Sequence, residues 1–305
     1  MLHDRGPSQL IVSRPCCASG CLASGPDCSY QVAWAINPHM RVGSVDGCRA
    51  VRQHSTLVEE LRAAGALVEH VPFVHGAFDS VFAKDNAVIV ERASGAVQAL
   101  LAHPRHAERR AEQWARAEAL GSLGVDVTST GGEDLEGGDI VMLPRAAAAF
   151  LGHGFRSSTR AARHLERFIE RDVTLIELCD PRLYHLDMAL SVLDDGTLLV
   201  CEEALTTASL RAMGNHPAVD DVIRVPLEEA LRFGVNLVQI GNTVVWGADA
   251  PRTARALRLR GLDLRGVDLD QFHLAGGSAA CLVSRVHRQT LGMLELSRPP
   301  QSTAA

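Results

Sequence analysis

Met188-Ala189-Leu190-Ser191-Val192-Leu193-Asp194-Asp195-Gly196-Thr197-Leu198-Leu199-Val200-Cys201 is two apolar runs broken by an Asp-Asp-Gly turn. Short apolar runs bounded by Asp and Gly read as strands, and two of them across such a turn read as a hairpin. The same pattern recurs outward. Residues 235–240 turn through Gly241-Asn242 into Thr243–Trp246. Residues 88–90 and 98–102 read as strands, as do 125–128 and 140–143 on either side of a glycine-rich acidic turn. Gln9–Ser13, 67–71, 173–178, 222–225, 262–267 and 282–286 are further single strands. Helical periodicity separates them. Leu57, Val58, Leu61 and Ala64 share a face behind a Thr56/Glu59 capping box, and residues 107–120 form a charged helix with Ala111 and Trp114 inward. Ala161, Leu165, Phe168 and Ile169 mark another inner face. Strands that arrive in hairpin-like pairs, with no G-x-G-x-x-G after the first strand, argue against a doubly wound sheet and for an α/β fold of several small sheets.

Length and composition set the class. The chain has 305 residues, 47% of them hydrophobic, enough for a large core. A net charge of −6 gives no electrostatic footprint for nucleic acid. No apolar run approaches the ~18 residues of a membrane span. The first residues lack a basic stretch followed by an apolar one, so a cytoplasmic protein without a signal peptide is expected. Composition shows no linker, and the expectation is one catalytic domain over residues 1–305, with a core from about 9 to 286 and a polar tail at 297–305. A homodimer is compatible with this reading.

Eight cysteines are present. Cys16, Cys17, Cys21 and Cys28 lie in a Ser/Gly/Pro-rich loop at 14–31 whose spacing does not match paired zinc knuckles, so no metal is expected. Cys281 differs. It follows Gly276-Gly277 and opens an apolar run, which would leave a thiol partly exposed on a bend. A free cysteine is more often a small buried hydrophobe than a nucleophile, so the case depends on the other polar clusters. Asp79 and Asp85 precede a strand. Gly131-Gly132-Glu133-Asp134-Leu135-Glu136-Gly137-Gly138-Asp139 holds four glycines and four carboxylates, and the bend can aim Glu136 into a cavity. In Tyr184-His185-Leu186-Asp187, strand alternation puts His185 and Asp187 on one face. Arg156 is framed by Gly154 and Ser157, and with Arg109 could grip a carboxylate. Carboxylates around a thiol and an imidazole suit a cationic substrate attacked by a thiolate. Two arginines suit a carboxylate at its other end. Arginine, or a close relative of it, has that form.

These pieces, with Ala35-Ile36-Asn37-Pro38-His39-Met40, resemble in order and spacing the pentein or guanidino-group-modifying superfamily. Its members include dimethylarginine dimethylaminohydrolases, arginine deiminases, arginine dihydrolases and amidinotransferases. The resemblance runs from Gln9 to Val286. It implies a five-bladed α/β propeller of ββαβ modules around a polar channel. It also implies Cys281 as nucleophile, His185 as general acid and base, and Glu136 and Asp85 on the guanidinium nitrogens. Asp79 would meet the substrate α-amino group, and Arg109 and Arg156 its carboxylate. No cofactor is implied.

Two positions depart from the dimethylargininase pattern. Lys84 stands where an acidic residue is usual. Asp187, absent from the best-known dimethylargininases, grips the guanidinium in deiminases and amidinotransferases, which favours an unsubstituted guanidino group. Arginine dihydrolases carry Asn where this chain has Asp85. The expectation is therefore a cysteine hydrolase that releases citrulline and ammonia or an alkylamine. Transfer of the amidino group to an amine, the double hydrolysis of a dihydrolase, and a silent or zinc-holding binding protein are the alternatives.

Overall fold

The computed structural model describes residues 7–17, 29–144 and 148–289. Cys21, Cys28 and the 297–305 tail lie outside the described residues. The chain opens with β1 (Gln9–Ser13), α1 (Gly47–Ala63) and β2 (Leu67–Val71). Next come β3 (Ala87–Glu91), β4 (Val97–Leu101), α2 (Ala111–Ser122) and β5 (Asp126–Ser129). They are followed by β6 (Ile140–Met142), β7 (Ala148–His153), α3 (Ala162–Ile169) and β8 (Asp172–Glu177). A helical turn, α4 (Leu186–Ala189), leads to β9 (Leu190–Val192), β10 (Thr197–Val200), α5 (Thr207–Gly214) and β11 (Asp221–Arg224). The last stretch is α6 (Leu227–Ala230), β12 (Leu237–Ile240), β13 (Thr243–Trp246), α7 (Pro251–Leu259), β14 (Asp263–Gly266), α8 (Asp270–His273) and β15 (Val283–Arg288).

One unit repeats. A hairpin supplies two antiparallel strands, a helix crosses over, and a third strand pairs parallel to the second. The order of elements follows from pairing geometry, because a tight turn joins antiparallel strands whereas a parallel neighbour needs a crossover. The chain ends join in one more copy: β15 pairs antiparallel with β1, and β2 parallel with β1. A parallel contact of β15 with β3 merges two copies into a six-stranded sheet, β2-β1-β15-β3-β4-β5. The first strands β3, β6, β9, β12 and β15 all contribute to the wall of one cavity of about 1330 Å³. Behind them lie the apolar clusters, such as Phe150, Leu186, Leu198 and Val244 in one and Leu10, Leu57, Val245 and Phe272 in another. The inner face expected for α3 is as found: Ala161, Leu165, Phe168 and Ile169 are all buried.

Three local expectations are corrected. Helix α1 starts at Gly47, capped by Asp46, whose Oδ1 accepts from the backbone N–H groups of Cys48 and Arg49 at 3.0 Å each. Thr56 therefore lies inside the helix, and its hydroxyl donates to the Arg52 carbonyl. The first half of α1 buries Gln53 and His54, so its inward stripe is partly polar and invisible to an apolar pattern. In α2 the faces are inverted. Trp114 is 85% exposed, and the buried side chains are Glu112, Arg116 and Leu120. The strand expected from 188 is shortened by α4, so His185 caps a helical turn and Asp187 sits within it.

Candidate active site

The two glycines ahead of Cys281 have separate reasons. Gly276 has φ +87°, in the left-handed region, and its carbonyl accepts from the Tyr184 hydroxyl at 2.8 Å. A Cβ at Gly277 would run into the Phe82 ring. This close packing places Cys281 inside the protein, 3% exposed, where partial exposure on a bend was expected. Its Sγ accepts from Asn236 Nδ2 at 3.2 Å and lies 3.8 and 4.0 Å from the Asp187 carboxylate oxygens. Burial first, then Asp187 and Asp85, push the thiol pKa well above its ordinary value. Lys84, paired with Asp187, pulls the other way but only in part, and the sulfur stays protonated.

His185 is buried opposite. Nε2 lies 2.8 Å from Glu136 Oε2, and Nδ1 lies 3.7 Å from Asp85 Oδ1. Burial alone would lower the imidazole pKa; Asp85, the Glu136 hydrogen bond and Asp139 outweigh it and raise it to about 9. Glu136 is its reciprocal partner. Burial would raise the carboxyl, but His185, Arg156 and Arg109 hold it well below the usual range. The backbone is built for this approach. A Cβ at Gly138 would lie 2.5 Å from His185 Nδ1 and 2.7 Å from Asp85 Oδ1, and one at Gly137 would strike the Lys84 carbonyl. Asp139 ties the segments together, accepting from Ser157 N at 3.0 Å and Leu186 N at 3.1 Å.

Both arginines are buried among carboxylates. Arg109 donates Nη1 to Asp85 Oδ2 at 2.7 Å, Nε and Nη2 to Glu112 at 2.9 Å each, and Nη2 to the Asp79 carbonyl at 3.2 Å. Arg156 donates Nη1 to Glu136 Oε2 at 3.1 Å and Nη2 to the Ile36 carbonyl at 2.9 Å, and its guanidinium lies 4.6 Å above the Tyr184 ring. Asp79 is buried and accepts from Trp34 Nε1 at 2.7 Å. Its pKa is raised, chiefly by burial, against the pull of Arg109 and Trp34. Glu112 is raised to about 7, again by burial against Arg109. Asp85, Glu136 and His185 each bring a ligand atom within 4.8 Å of the others. Their charges are already met by Arg109 and Arg156 and by one another.

All eight residues expected from sequence thus meet in one buried cluster. One oxygen there is unsatisfied: Asp85 Oδ1 is buried without a hydrogen-bond partner. A group with N–H donors and positive charge would satisfy it.

Residues 44–288 match the model of the N,N dimethylarginine dimethylhydrolase family, eukaryotic. The chain belongs to this family. A relative in the dimethylarginine hydrolase family, the N(G),N(G)-dimethylarginine dimethylaminohydrolase of Mycobacterium tuberculosis, is 33% identical over 266 residues, covering 87% of this chain and 85% of its own. The bifunctional arginine dihydrolase/ornithine cyclodeaminase AgrE of Nostoc is 28% identical over 266 residues, 86% of this chain and 37% of that protein. In fold, the N-terminal domain of ArgZ bound to product, an arginine dihydrolase of cyanobacteria, superposes with TM-score 0.83 at 24% identity, over 93% of this chain and 99% of that one. The same mixed α/β fold is found in a crystal structure of a dimethylarginine dimethylaminohydrolase, with TM-score 0.70 at 20% identity over 92% of this chain.

Four site residues escaped the sequence reading. Asn236 holds the Cys281 sulfur, yet stands in an apolar run; a lone amide at the start of a buried strand was the available signal. Asp139 was one of four carboxylates in its stretch, and nothing local set it apart. Glu112 reads as an ordinary helix charge. Trp34 reads as core.

Proposed function

We propose that this chain is a cysteine hydrolase acting on the terminal guanidino group of arginine or an N-substituted arginine, with citrulline as product. The observation that carries the reading is the convergence of Cys281, His185, Glu136, Asp85 and Asp187 in one buried cluster. As a family member the chain hydrolyses carbon–nitrogen bonds of guanidino groups.

The chemistry follows from the charges. The resting thiol is neutral because two carboxylates and burial oppose its ionisation. A guanidinium seated against those carboxylates cancels their field and adds a cation beside sulfur, so the thiol loses its proton to solvent when substrate binds. The thiolate attacks the guanidinium carbon and forms a C–S bond. His185, charged at neutral pH, gives its proton to the departing nitrogen, and that C–N bond breaks. Neutral His185 then takes a proton from water. The resulting hydroxide adds to the same carbon, and the C–S bond breaks to return the thiolate. Glu136 keeps His185 protonated and oriented.

In this reading Asp79 meets the substrate α-amino group, and Arg109 and Arg156 its carboxylate. Arg156 is the readier clamp, since one of its partners is a loop carbonyl, Ile36, whereas the donors of Arg109 are taken up by Asp85, Glu112 and Asp79. The repeated unit, with every first strand on one cavity wall, supports a five-bladed propeller as one catalytic domain.

The test is citrulline release, with mass-spectrometric identification, from arginine, mono- and dimethylarginine, and agmatine. Cys281→Ser should reduce turnover at least about a thousandfold. A fully active Cys281→Ser enzyme sinks the reading, and agmatine as good as arginine removes the roles given to Arg109 and Arg156.

A further inference from the structure

The two positions at which the sequence departs from the dimethylargininase pattern touch one another. Lys84 Nζ lies 2.8 Å from Asp187 Oδ2. Lys84 comes from the 3₁₀ turn before β3, and Asp187 from the helical turn before β9. Both are pinned. The Lys84 backbone N–H donates to the Cys281 carbonyl at 3.2 Å, and Asn236 Nδ2 donates to the Asp187 carbonyl at 3.2 Å. The ion pair therefore lies directly beside the nucleophile, with the Asp187 oxygens 3.8 and 4.0 Å from Sγ.

We propose that Lys84 is a positioning and specificity residue that acts through Asp187: by holding Oδ2 it turns Oδ1 toward the guanidino group, so that the enzyme selects a substrate whose nitrogen on that side carries hydrogen and not methyl. The inference rests on the function proposed above. Its geometry is simple. A planar guanidinium with its carbon within reach of Sγ would turn one edge toward Asp187 and another toward Asp85 Oδ1, which faces His185 Nδ1 at 3.7 Å but has no hydrogen-bond partner. An N–H satisfies a carboxylate lone pair; an N-methyl leaves it buried and unpaired, which lowers binding or turnover by about tenfold or more. Lys84 has a second effect on the same atoms. An unneutralised carboxylate within 4 Å of sulfur opposes the thiolate, and the lysine offsets it. Of the charged groups facing Cys281, Asp187 and Asp85 raise its pKa and Lys84 lowers it.

The experiment compares kcat/KM for L-arginine and N,N-dimethylarginine in wild type, Lys84→Met, Asp187→Asn and the reversed pair Lys84→Glu/Asp187→Lys, with melting temperatures alongside. Wild type should prefer arginine at least about tenfold. Lys84→Met should lose most of that preference and lower kcat more than it raises KM, and the pH at which iodoacetamide alkylates the thiol should rise. Asp187→Asn should also lose the preference. Lys84→Glu and Asp187→Lys should each melt lower than wild type, and together should recover melting temperature while the preference stays lost. Retained preference in folded Lys84→Met and in the reversed pair overturns the proposal and leaves the hydrolase reading intact. Wild type that prefers dimethylarginine does the same. Wild type inactive on both substrates overturns both.

Discussion

Asn236 offers the sharpest test of how the thiol is held. Its side chain is fully buried; Nδ2 donates to Cys281 Sγ and to the Asp187 carbonyl, and Oδ1 accepts from Ala280 N at 2.9 Å and Cys281 N at 3.4 Å. Asn236→Ala removes the partner of the Ala280 N–H, the Cys281 N–H and the Asp187 C=O. At about 1–3 kcal/mol for each of the three groups, the loss of stability should be about 3–9 kcal/mol, read from urea unfolding. Asn236→Asp keeps the size and both accepted bonds but puts a carboxylate 3.2 Å from sulfur. At an effective dielectric of about 20, two full charges at that distance repel by about 5 kcal/mol. Even partial protonation of the new carboxyl should move thiol ionisation upward by at least about one pH unit. Iodoacetamide alkylation against pH reads this in the free protein, and kcat/KM against pH reads it in turnover. If the Asp variant alkylates with the wild-type profile, Asn236 does not touch the sulfur as described.

Other outcomes follow from the same geometry. His185, with its folded pKa raised to about 9, should keep kcat high below that pH and lose it as pH rises through it. By linkage its contribution to stability is complete below about 6.5 and is lost on the same upward passage; Glu136→Gln should bring the descending limb of the kcat profile to lower pH. His54 has the opposite sign. Burial, with both ring nitrogens unpartnered, lowers it to about 3, so the unfolded chain binds the proton first and stability falls as pH drops below about 6.5. His54→Leu should flatten the loss between pH 7 and 5 by about 2 kcal/mol in urea melts, and an unchanged slope would refute the assignment. Gly138→Ala drives a methyl between His185 and Asp85, and kcat should fall about a hundredfold with KM moved less; wild-type kcat in that variant would mean the packing is looser than described.

The sequence by itself determined the local pieces. The turn at Asp194-Asp195-Gly196 makes a hairpin because Gly196 takes φ +88° there, and the strands on either side carry their own apolar pattern. It also determined which residue types were available to chemistry, since a thiol, an imidazole, clustered carboxylates and two framed arginines point to one class of substrate. What it could not reveal is which charges are buried. Glu112 and Arg116 look like the solvent face of α2 and Trp114 like its core, yet the structure inverts them, because Arg109 and Asn86 wait on the inner side to pair with Glu112, and Asn86 and the Ser80 carbonyl to pair with Arg116. Asn236 lies in an apolar strand and gains its meaning only from Cys281, 45 residues away. Lys84 and Asp187 read as separate oddities until the fold brings them to 2.8 Å. Apolar periodicity reports how a segment meets an average interior. The stability of a buried charge depends on the partner opposite, and only the tertiary structure selects that partner.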